Sequence, residues 1–313
     1  MDETAISAER AEQAERAARF EEHRAHLRSV AYRMLGSLSE AEDAVQEGWL
    51  RFDRTDTSGV ENLGGWLTTV VARVCLNLLR TREQRREDPL ETGLLGAGLL
   101  GAGMPDPVLG REHTVDPEQE VLLADSVGLA LMVVLESLTP GERLAFVLHD
   151  MFAVPFDEIA PLIERTPAAA RQLASRARRR VQGQAPAPDP DLATQRAVVD
   201  AFFAAARDGD FEALVAVLDP DVVLRSDGGV VRARLTVVHR GAETVAGQAV
   251  TFGGLSPFAR PALINGTAGV TVAANGTALS VMAFLVRGGR ILAIDVVADP
   301  ERLSALEVAA FHA

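Results

Sequence analysis

Lysine is absent from this chain of 313 residues, so all 31 of its basic side chains are arginine. We attribute the absence to a codon preference rather than to a function. The acidic side chains number 44, which leaves a net charge of −13. This balance excludes a protein that coats nucleic acid over its whole surface. Any contact with nucleic acid is therefore expected to be local.

Cysteine and long apolar runs are also scarce. The single cysteine, Cys75, excludes a disulfide framework within the chain. The lack of disulfides is typical of proteins from a reducing compartment. The apolar residues around Cys75 predict that it lies in the core. The longest apolar run, Leu94 to Met104, contains four glycines and is too short to span a bilayer. The charged N-terminal stretch lacks the apolar core of a signal peptide. We expect a cytoplasmic protein without membrane contact, bound cofactor or metal.

Arginine is abundant in one segment. Six arginines and no acidic residue lie between Arg165 and Arg180. The apolar residues of this segment follow a helical period: Ala170, Leu173, Ala174, Ala177 and Val181. Thr166 is placed to cap this helix and Pro167 to begin it. A helix with a clustered positive face suits a phosphate-lined groove, although it is also compatible with a solvated basic helix end.

Two shorter helical patterns precede the arginine-rich segment. Thr139 and Glu142 have the spacing of a capping box and open an apolar helix. A second short helix is predicted around Ile159, and residues 164–166 have the turn length of a helix-turn-helix. In that motif the early residues of the last helix face base edges. The predicted base readers are Ala168, Arg171, Gln172 and Ser175, and the predicted phosphate contacts are Arg176, Arg179 and Arg180. Arg165 and Thr166 are also expected to belong to this DNA-binding surface.

An earlier part of the chain, from Phe20 to Glu87, is also predicted to be helical. Ser39 and Glu42 form a second capping-box pattern, which is expected to open a helix. A polar loop from Asp53 to Gly65 follows, and Trp66 begins another helix. The outer side of that helix carries Arg73, Asn77, Arg80 and Arg82 at helical spacing.

The last part of the chain changes character. Two amphipathic helices are followed by strand-like alternation, with Asn275-Gly276 and Gly288-Gly289 as hairpin turns. We expect strands that include Val230 to His239. The predicted organisation is an N-terminal extension (1–19), a helical domain (20–87), a flexible linker (88–117), a helix-turn-helix domain (118–183), a proline-rich linker (184–192) and an α+β domain (193–313).

The first 183 residues resemble the extracytoplasmic-function sigma factors of the sigma-70 family. The resemblance rests on two blocks in order, one from Tyr32 through Glu47 to Asn77 and one from Leu138 through Glu142 to Arg178. It implies that the first block binds the −10 promoter element and core RNA polymerase. It implies that the second block binds the −35 element of promoter DNA.

The resemblance also assigns site residues. The acidic face of Asp43, Gln46 and Glu47 is expected to bind the polymerase, although such a face is also typical of an ordinary solvated helix. The −10 element is expected to contact Asn62, Trp66, Arg73, Asn77 and Arg80. Opening a promoter requires the capture of unstacked bases, and the loop before Trp66 is placed to receive one.

The last 120 residues resemble SnoaL-like domains of the NTF2-like superfamily, which implies a cone-shaped sheet around a pocket able to hold a small ligand. A subgroup of these sigma factors carries such a domain. Two of its signatures have counterparts here, and they supply the expected regulatory residues: Asp227, Gly228, Gly229, Asp299, Pro300 and Leu303. The tryptophan-containing motif that the subgroup has in its first linker is missing, so Leu94, Leu95, Leu99 and Leu100 are the expected linker contacts.

The fold class expected is therefore two all-α domains followed by an α+β cone. We expect a sigma factor that is not an enzyme and whose last domain modulates its activity in cis. One alternative is an NTF2-like enzyme with a DNA-binding appendage, for which Asp219, Asp221, Asp227 and His239 are the candidate polar groups. Another alternative is a one-component repressor whose pocket binds an effector.

Overall fold

The computed structural model describes residues 3–87, 103–110, 128–306 and 308, which form two compact units. The first unit draws on Met1–Gly96 and Ser137–Arg180, and the second draws on Ala97–Glu136 and Val181–Ala313. In chain order the α-helices are α1 (Glu3–Leu35), α2 (Leu38–Arg54), α3 (Leu63–Glu87), α4 (Leu129–Glu136), α5 (Pro140–Phe146), α6 (Phe156–Leu162), α7 (Pro167–Gln184), α8 (Leu192–Asp208), α9 (Phe211–Val217), α10 (Ala242–Phe252) and α11 (Pro300–Ala305). The strands are β1 (Leu109–Gly110), β2 (Leu218–Asp227), β3 (Val237–Arg240), β4 (Ala259–Ile264), β5 (Thr267–Ala274), β6 (Thr277–Arg287) and β7 (Arg290–Val297).

The first unit is helical and has a continuous apolar core. Helices α1, α2 and α3 pack against one another, and their contact is filled by fully buried side chains such as Leu27, Phe52 and Leu67. The N-terminal extension is helical and continues directly into the rest of α1. Helical periodicity predicts the buried positions in this part of the chain, except that Leu50 and Leu78, which were expected in the apolar stripes, are exposed at 44% and 38%.

The start of α2 differs from the sequence prediction. Gly36 has a φ of 72° and ends α1, which leaves Ser37 extended at a φ of −119°. The Ser37 hydroxyl then accepts a hydrogen bond from the backbone amide of Glu40. The prediction of a cap at Ser39 is wrong, because a left-handed glycine ended the preceding helix early enough for Ser37 to take the position.

The helix-turn-helix elements form as expected. Thr139 and Glu142 complete a capping box at α5, which continues as a short π-helical turn through Val147–Met151. Glu164 takes a φ of 55° in the turn before α7, and the Thr166 hydroxyl accepts a hydrogen bond from the amide of Ala169. The predicted apolar stripe of α7 is buried or half-buried, so this helix presents its basic side outward.

The second unit is built on a curved seven-stranded sheet in the order β1-β4-β5-β6-β7-β2-β3. Neighbouring strands are antiparallel except β2 and β7, which are parallel. Helices α8 and α10 pack on one face of the sheet over an apolar core that includes Val199, Phe202 and Phe284. On the other face, α4 packs against β6 and β7. The described elements follow the expected order, in which helical regions precede an α+β region.

Two elements of this unit differ from expectation. The strand predicted from Val230 to His239 is confined to β3, because the preceding residues form a turn and a 3-10 segment at Ala233–Leu235. The helix α10 was not expected, since its valine and threonine content is typical of strands. Asn275-Gly276 and Gly288-Gly289 form hairpin turns as predicted, each residue having a positive φ. In the described part of the chain, no helix is long and apolar enough to cross a membrane.

The position of Cys75 leads to a first prediction. The thiol is fully buried in the first unit, and burial raises its pKa to about 12 because the thiolate is poorly solvated there. At pH 8 the folded protein is therefore expected to react with a disulfide reagent far more slowly than the protein in denaturant. Reaction at equal rates in both conditions would contradict the burial.

Candidate functional site

The outer side of α7 carries the residues predicted to read base edges. Ala168, Arg171, Gln172 and Ser175 are all exposed, at a spacing that places them on one helical face. The guanidinium carbon of Arg171 lies 5.2 Å from the centre of the Phe156 ring. This cation–π contact holds the arginine at the start of α7, where the residues of a recognition helix meet DNA.

Several of the predicted phosphate contacts have partners inside the first unit. Arg176 lies 3.3 Å from the Glu142 carboxylate, and Arg180 donates to the backbone oxygen of Ser137 at 3.0 Å. Arg178, which was not among the predicted contacts, donates to Asp150 at 2.7 Å. The side chains of Arg165 and Arg179 are exposed and have no partner among the described residues. Three of the six arginines thus join α7 to α5 and to the residues on either side of α5.

A second basic surface lies on α2 and α3. Trp66, Arg73, Arg51 and Arg54 line a groove of about 420 Å³, and Leu162 of α6 forms part of its wall. Trp66 is half-buried, and Arg73 is exposed. The sequence did not single out Arg51 and Arg54. The signal in the sequence that could have identified them is their spacing of three residues at the end of α2, which places both arginines on one side of the helix.

The other predicted −10 residues have mixed environments. Asn77 is exposed on α3, whereas Arg80 lies 3.6 Å from Glu164. The carboxamide oxygen of Asn62 accepts a hydrogen bond from the amide of Gly65 at 2.9 Å, which caps the start of α3. Asn62 therefore has a structural role in this state, and its contact with an unstacked base stays a prediction.

The acidic face on α2 is accessible. Asp43 and Gln46 are exposed, and Glu47 pairs with Arg51 at 3.0 Å on the same helix. Gln46 also borders a small groove beside Trp49. The structure thus places the three residues on one side of α2, where a partner protein can reach them.

Within the first unit, the helix-turn-helix packs on α1 through buried polar groups. Arg143 is buried and donates from Nη1 to the backbone oxygen of Met34 at 2.9 Å. The guanidinium of Arg33 lies 4.8 Å from the centre of the Phe152 ring, and His26 meets the same ring edge-on. These contacts hold the two predicted DNA-reading surfaces in one packed body.

In the second unit, a surface holds part of the first linker. One carboxylate oxygen of Asp227 accepts hydrogen bonds from the amide of Met104 and from Arg302, both at 2.9 Å. Arg302 also donates two hydrogen bonds to Asp106, at 2.8 and 3.1 Å. Arg302 therefore bridges a linker carboxylate and a sheet carboxylate in a mostly buried setting.

The same segment is held at a second point. The side-chain oxygen of Asn265 accepts a hydrogen bond from the backbone amide of Val108 at 3.0 Å, and the backbone amide of Asn265 donates to the backbone oxygen of Val108 at 2.8 Å. Beyond this point β1 adds to the edge of the sheet, with Leu109 opposite Ile264. We call the surface formed by Asp227, Asn265 and Arg302 the linker seat.

The linker residues involved are not the expected ones. Leu94, Leu95, Leu99 and Leu100 lie outside the described residues, so their predicted role stays a prediction. The observed contacts use 103–110 instead. The sequence feature that could have indicated this segment is Asp106, which stands between two prolines. A residue before proline favours an extended conformation, and an extended segment can add to the edge of a sheet.

The predicted regulatory motifs meet beside the linker seat. Gly229 has a φ of 61°, and a side chain there would overlap the carboxylate of Asp299. A side chain at Gly228 would overlap the backbone oxygen of Arg232. Asp299 caps α11, on which Pro300 takes the first turn and Leu303 is buried. The two signatures thus build the turn and the helix that position Asp227 and Arg302.

A separate cavity of about 460 Å³ lies on the helix-covered face of the sheet. His239 lines it, but Asp219 and Asp221 do not, and Asp227 is engaged in the linker seat. Among the described residues, none of those that line this cavity is an aspartate or glutamate. The acid–base pair considered for an NTF2-like enzyme is therefore not assembled here.

Comparison with known proteins shows that two parts of the chain match described protein families. Residues 19–86 match Sigma-70 region 2, and residues 128–181 match Sigma-70, region 4. The chain is 39% identical over 300 residues to the ECF RNA polymerase sigma factor SigJ of Mycobacterium tuberculosis strain H37Rv, covering 91% of this chain and 92% of that protein. It is 34% identical over 290 residues to the probable ECF RNA polymerase sigma factor SigI of the same species, covering 91% and 93%.

The structural comparison agrees. The crystal structure of the Mycobacterium tuberculosis extracytoplasmic function sigma factor SigJ superposes with a TM-score of 0.73 at 36% identity, covering 93% of this chain and 99% of that one. Regions 2 and 4 in this order define a factor that directs RNA polymerase to promoters. The chain belongs to the ECF RNA polymerase sigma factors. Core RNA polymerase and promoter DNA are accordingly its partners.

The linker seat leads to a second prediction. Replacing Asp227→Asn removes the charge that binds Arg302, and a hydrogen bond to a charged group contributes about 1.5–3 kcal/mol. The amides of Met104 and Val108 are therefore expected to exchange about ten- to a hundredfold faster with solvent deuterium.

Asp200→Asn, at an exposed position on α8, is the matched control and is expected to leave these rates unchanged. Amides in the centre of β5 report whether the sheet itself stays folded. Unchanged exchange at Met104 in a protein with Asp227→Asn would show that the seat does not depend on this charge.

Proposed function

We propose that the second unit controls this sigma factor in cis by retaining the linker and the start of region 4. The observation that carries the proposal is the division of region 4 itself. The match to this region begins at residue 128, yet α4 packs on β6 and β7 of the second unit. The rest of the matched region, from Ser137 to Arg180, belongs to the first unit.

The second unit holds the chain at two places that precede the helix-turn-helix. The linker seat holds 103–110, and the sheet holds α4, which Glu136 connects directly to the helix-turn-helix. A sigma factor must span two promoter elements about two helical turns apart, which is about 70 Å along B-DNA. Residues retained on the second unit are not available to extend between regions 2 and 4.

Packing within the first unit supports the same conclusion. Arg143 joins the helix-turn-helix to α1, and Leu162 of α6 walls the groove that contains Trp66. Simultaneous reading of the −10 and −35 elements requires these contacts to open. We therefore infer that the described arrangement is the restrained form and that polymerase binding competes with it.

We assign the site residues as follows. Asp43, Gln46 and Glu47 bind a basic surface of the polymerase. Trp66, Arg73, Asn77 and Arg80, with Asn62 in the loop before them, contact the −10 element. The −35 element is contacted by Arg165, Thr166, Ala168, Arg171, Gln172, Ser175, Arg176, Arg179 and Arg180, of which Arg176 and Arg180 first leave their partners in the first unit.

Run-off transcription tests the control in cis. A promoter is first selected from genomic fragments by the full-length chain bound to core polymerase. The variant Arg302→Leu removes both ion pairs of the linker seat and keeps an apolar side chain, so the transcript yield is expected to rise at least about fivefold. Arg287→Leu, at the exposed end of β6 in the same unit, is the matched control and is expected to give the same yield as the unchanged protein.

The possible outcomes test control by the linker seat separately from the role in directing polymerase to promoters. Equal yields from the unchanged protein and from Arg302→Leu, with fast exchange at Met104, would refute control by the linker seat. Promoter-specific transcript from neither protein would contradict the assignment as a polymerase-directing factor and would leave the one-component repressor as the alternative.

The recognition helix leads to a further prediction. Arg171→Ala and Gln172→Ala remove side chains proposed to face bases, and each is expected to cost about 1–3 kcal/mol in binding to a duplex that contains the −35 element. The loss is expected to be smaller on an unrelated duplex. Arg207→Ala, on α8 of the second unit, is the control. Equal losses on both duplexes would reassign Arg171 to the phosphate backbone.

A further inference from the structure

The cavity on the helix-covered face of the second unit has the size and lining of a small-molecule site. Its volume of about 460 Å³ lies within the range of roughly 300–1,000 Å³ that is typical of such sites. Phe202 and Phe203 of α8, Leu224 of β2 and Met282 of β6 supply apolar surface. The cavity is therefore suited to a mostly apolar molecule.

One hydroxyl in the cavity lining is open to the cavity. Ser226 is 8% exposed and lines the cavity between Val237 and Val296 of the neighbouring strands. Its hydroxyl makes no hydrogen bond to any described residue. A hydroxyl with a free hydrogen-bonding capacity in a mostly apolar lining fixes the orientation of a ligand, so this position favours a ligand that brings a polar atom to it.

The charged residues of the cavity lining further restrict the class of ligand that the cavity suits. Arg232 donates to the backbone oxygens of Leu279 and Ala298, both at 3.1 Å, and is fixed at the end of the sheet. Arg234 lines the same cavity, is exposed, and has no side-chain partner in the described part of the chain. With two arginines and no carboxylate in the lining, the cavity favours a ligand with a negative charge.

We propose that this cavity binds an apolar, largely aromatic monocarboxylate. The carboxylate meets Arg234 at the mouth of the cavity, the rings lie against Phe203 and Met282, and a further oxygen of the ligand hydrogen-bonds to Ser226. Arginine provides paired donors that match the two oxygens of a carboxylate. Aromatic side chains pack against such rings in offset or edge-to-face arrangements.

This site deepens the proposed function and rests on it for its regulatory meaning. Ser226 faces the cavity, whereas the next residue, Asp227, holds Met104 and Arg302 in the linker seat. Successive side chains of a strand point to opposite faces of a sheet. A ligand in the cavity therefore acts on the same strand end that retains the linker.

Calorimetry on the full-length protein tests the proposal with 4′-hydroxybiphenyl-4-carboxylate and its neutral carboxamide. The carboxylate is expected to bind at least about tenfold more tightly than the amide. Arg234→Gln is expected to remove this tenfold difference and to leave amide binding unchanged. Arg287→Gln, at the exposed end of β6 in the same unit, is the control and is expected to change neither affinity.

A variant that fills the cavity tests its location. Ser226→Leu is expected to abolish binding of both compounds while circular dichroism shows a folded protein. If Ser226→Leu does not fold, Ala249→Phe fills the cavity from α10 and carries the same expectation.

Three results would overturn the proposal: no binding of either compound, equal binding of acid and amide, or binding that survives a folded cavity-filling variant. The assay contains neither polymerase nor DNA. A negative result therefore rejects the ligand and leaves control in cis to be decided by transcription.

Discussion

Arg302 makes the contact on which the organisation of the second unit depends. Its guanidinium binds Asp106 of the linker and Asp227 of the sheet, residues that are 196 and 75 positions away from it in the chain. Because all three side chains are largely withdrawn from water, removing the guanidinium takes away the positive charge that both carboxylates share. The rigid arginine fork suits this position better than a lysine ammonium, since it serves two carboxylates at once.

The two faces of the sheet in the second unit carry different structural features. One face carries the apolar cavity under α8 and α10, and the opposite face carries α4. At the end of β2, Ser226 and Asp227 belong to the cavity and to the linker seat, respectively. The alternation of side chains along a strand thus places a candidate sensor beside a candidate restraint without any intervening element.

In the first unit, one buried carboxylate organises the helix-turn-helix. Glu142 completes the capping box with Thr139 and also lies within ion-pair distance of Arg176 and Arg180. The basic face of α7 is therefore partly neutralised by its own domain. Arg165, Arg179 and the stacked Arg171 remain exposed, and they form the local positive surface that we propose for the contact of this acidic protein with DNA.

The sequence alone determined the features that depend on near neighbours: the capping box at Thr139, the buried stripe of α7, the hairpin turns at Asn275 and Gly288, and the family resemblance. The tertiary structure alone decided that 103–110 is held in the linker seat and that α4 packs on the sheet. It also decided that the described residues lining the cavity include no carboxylate. Helix caps and turns are local because their hydrogen bonds join residues a few positions apart. A sheet edge accepts any extended backbone, so its occupant is chosen by distant side chains such as Arg302, which no local pattern identifies.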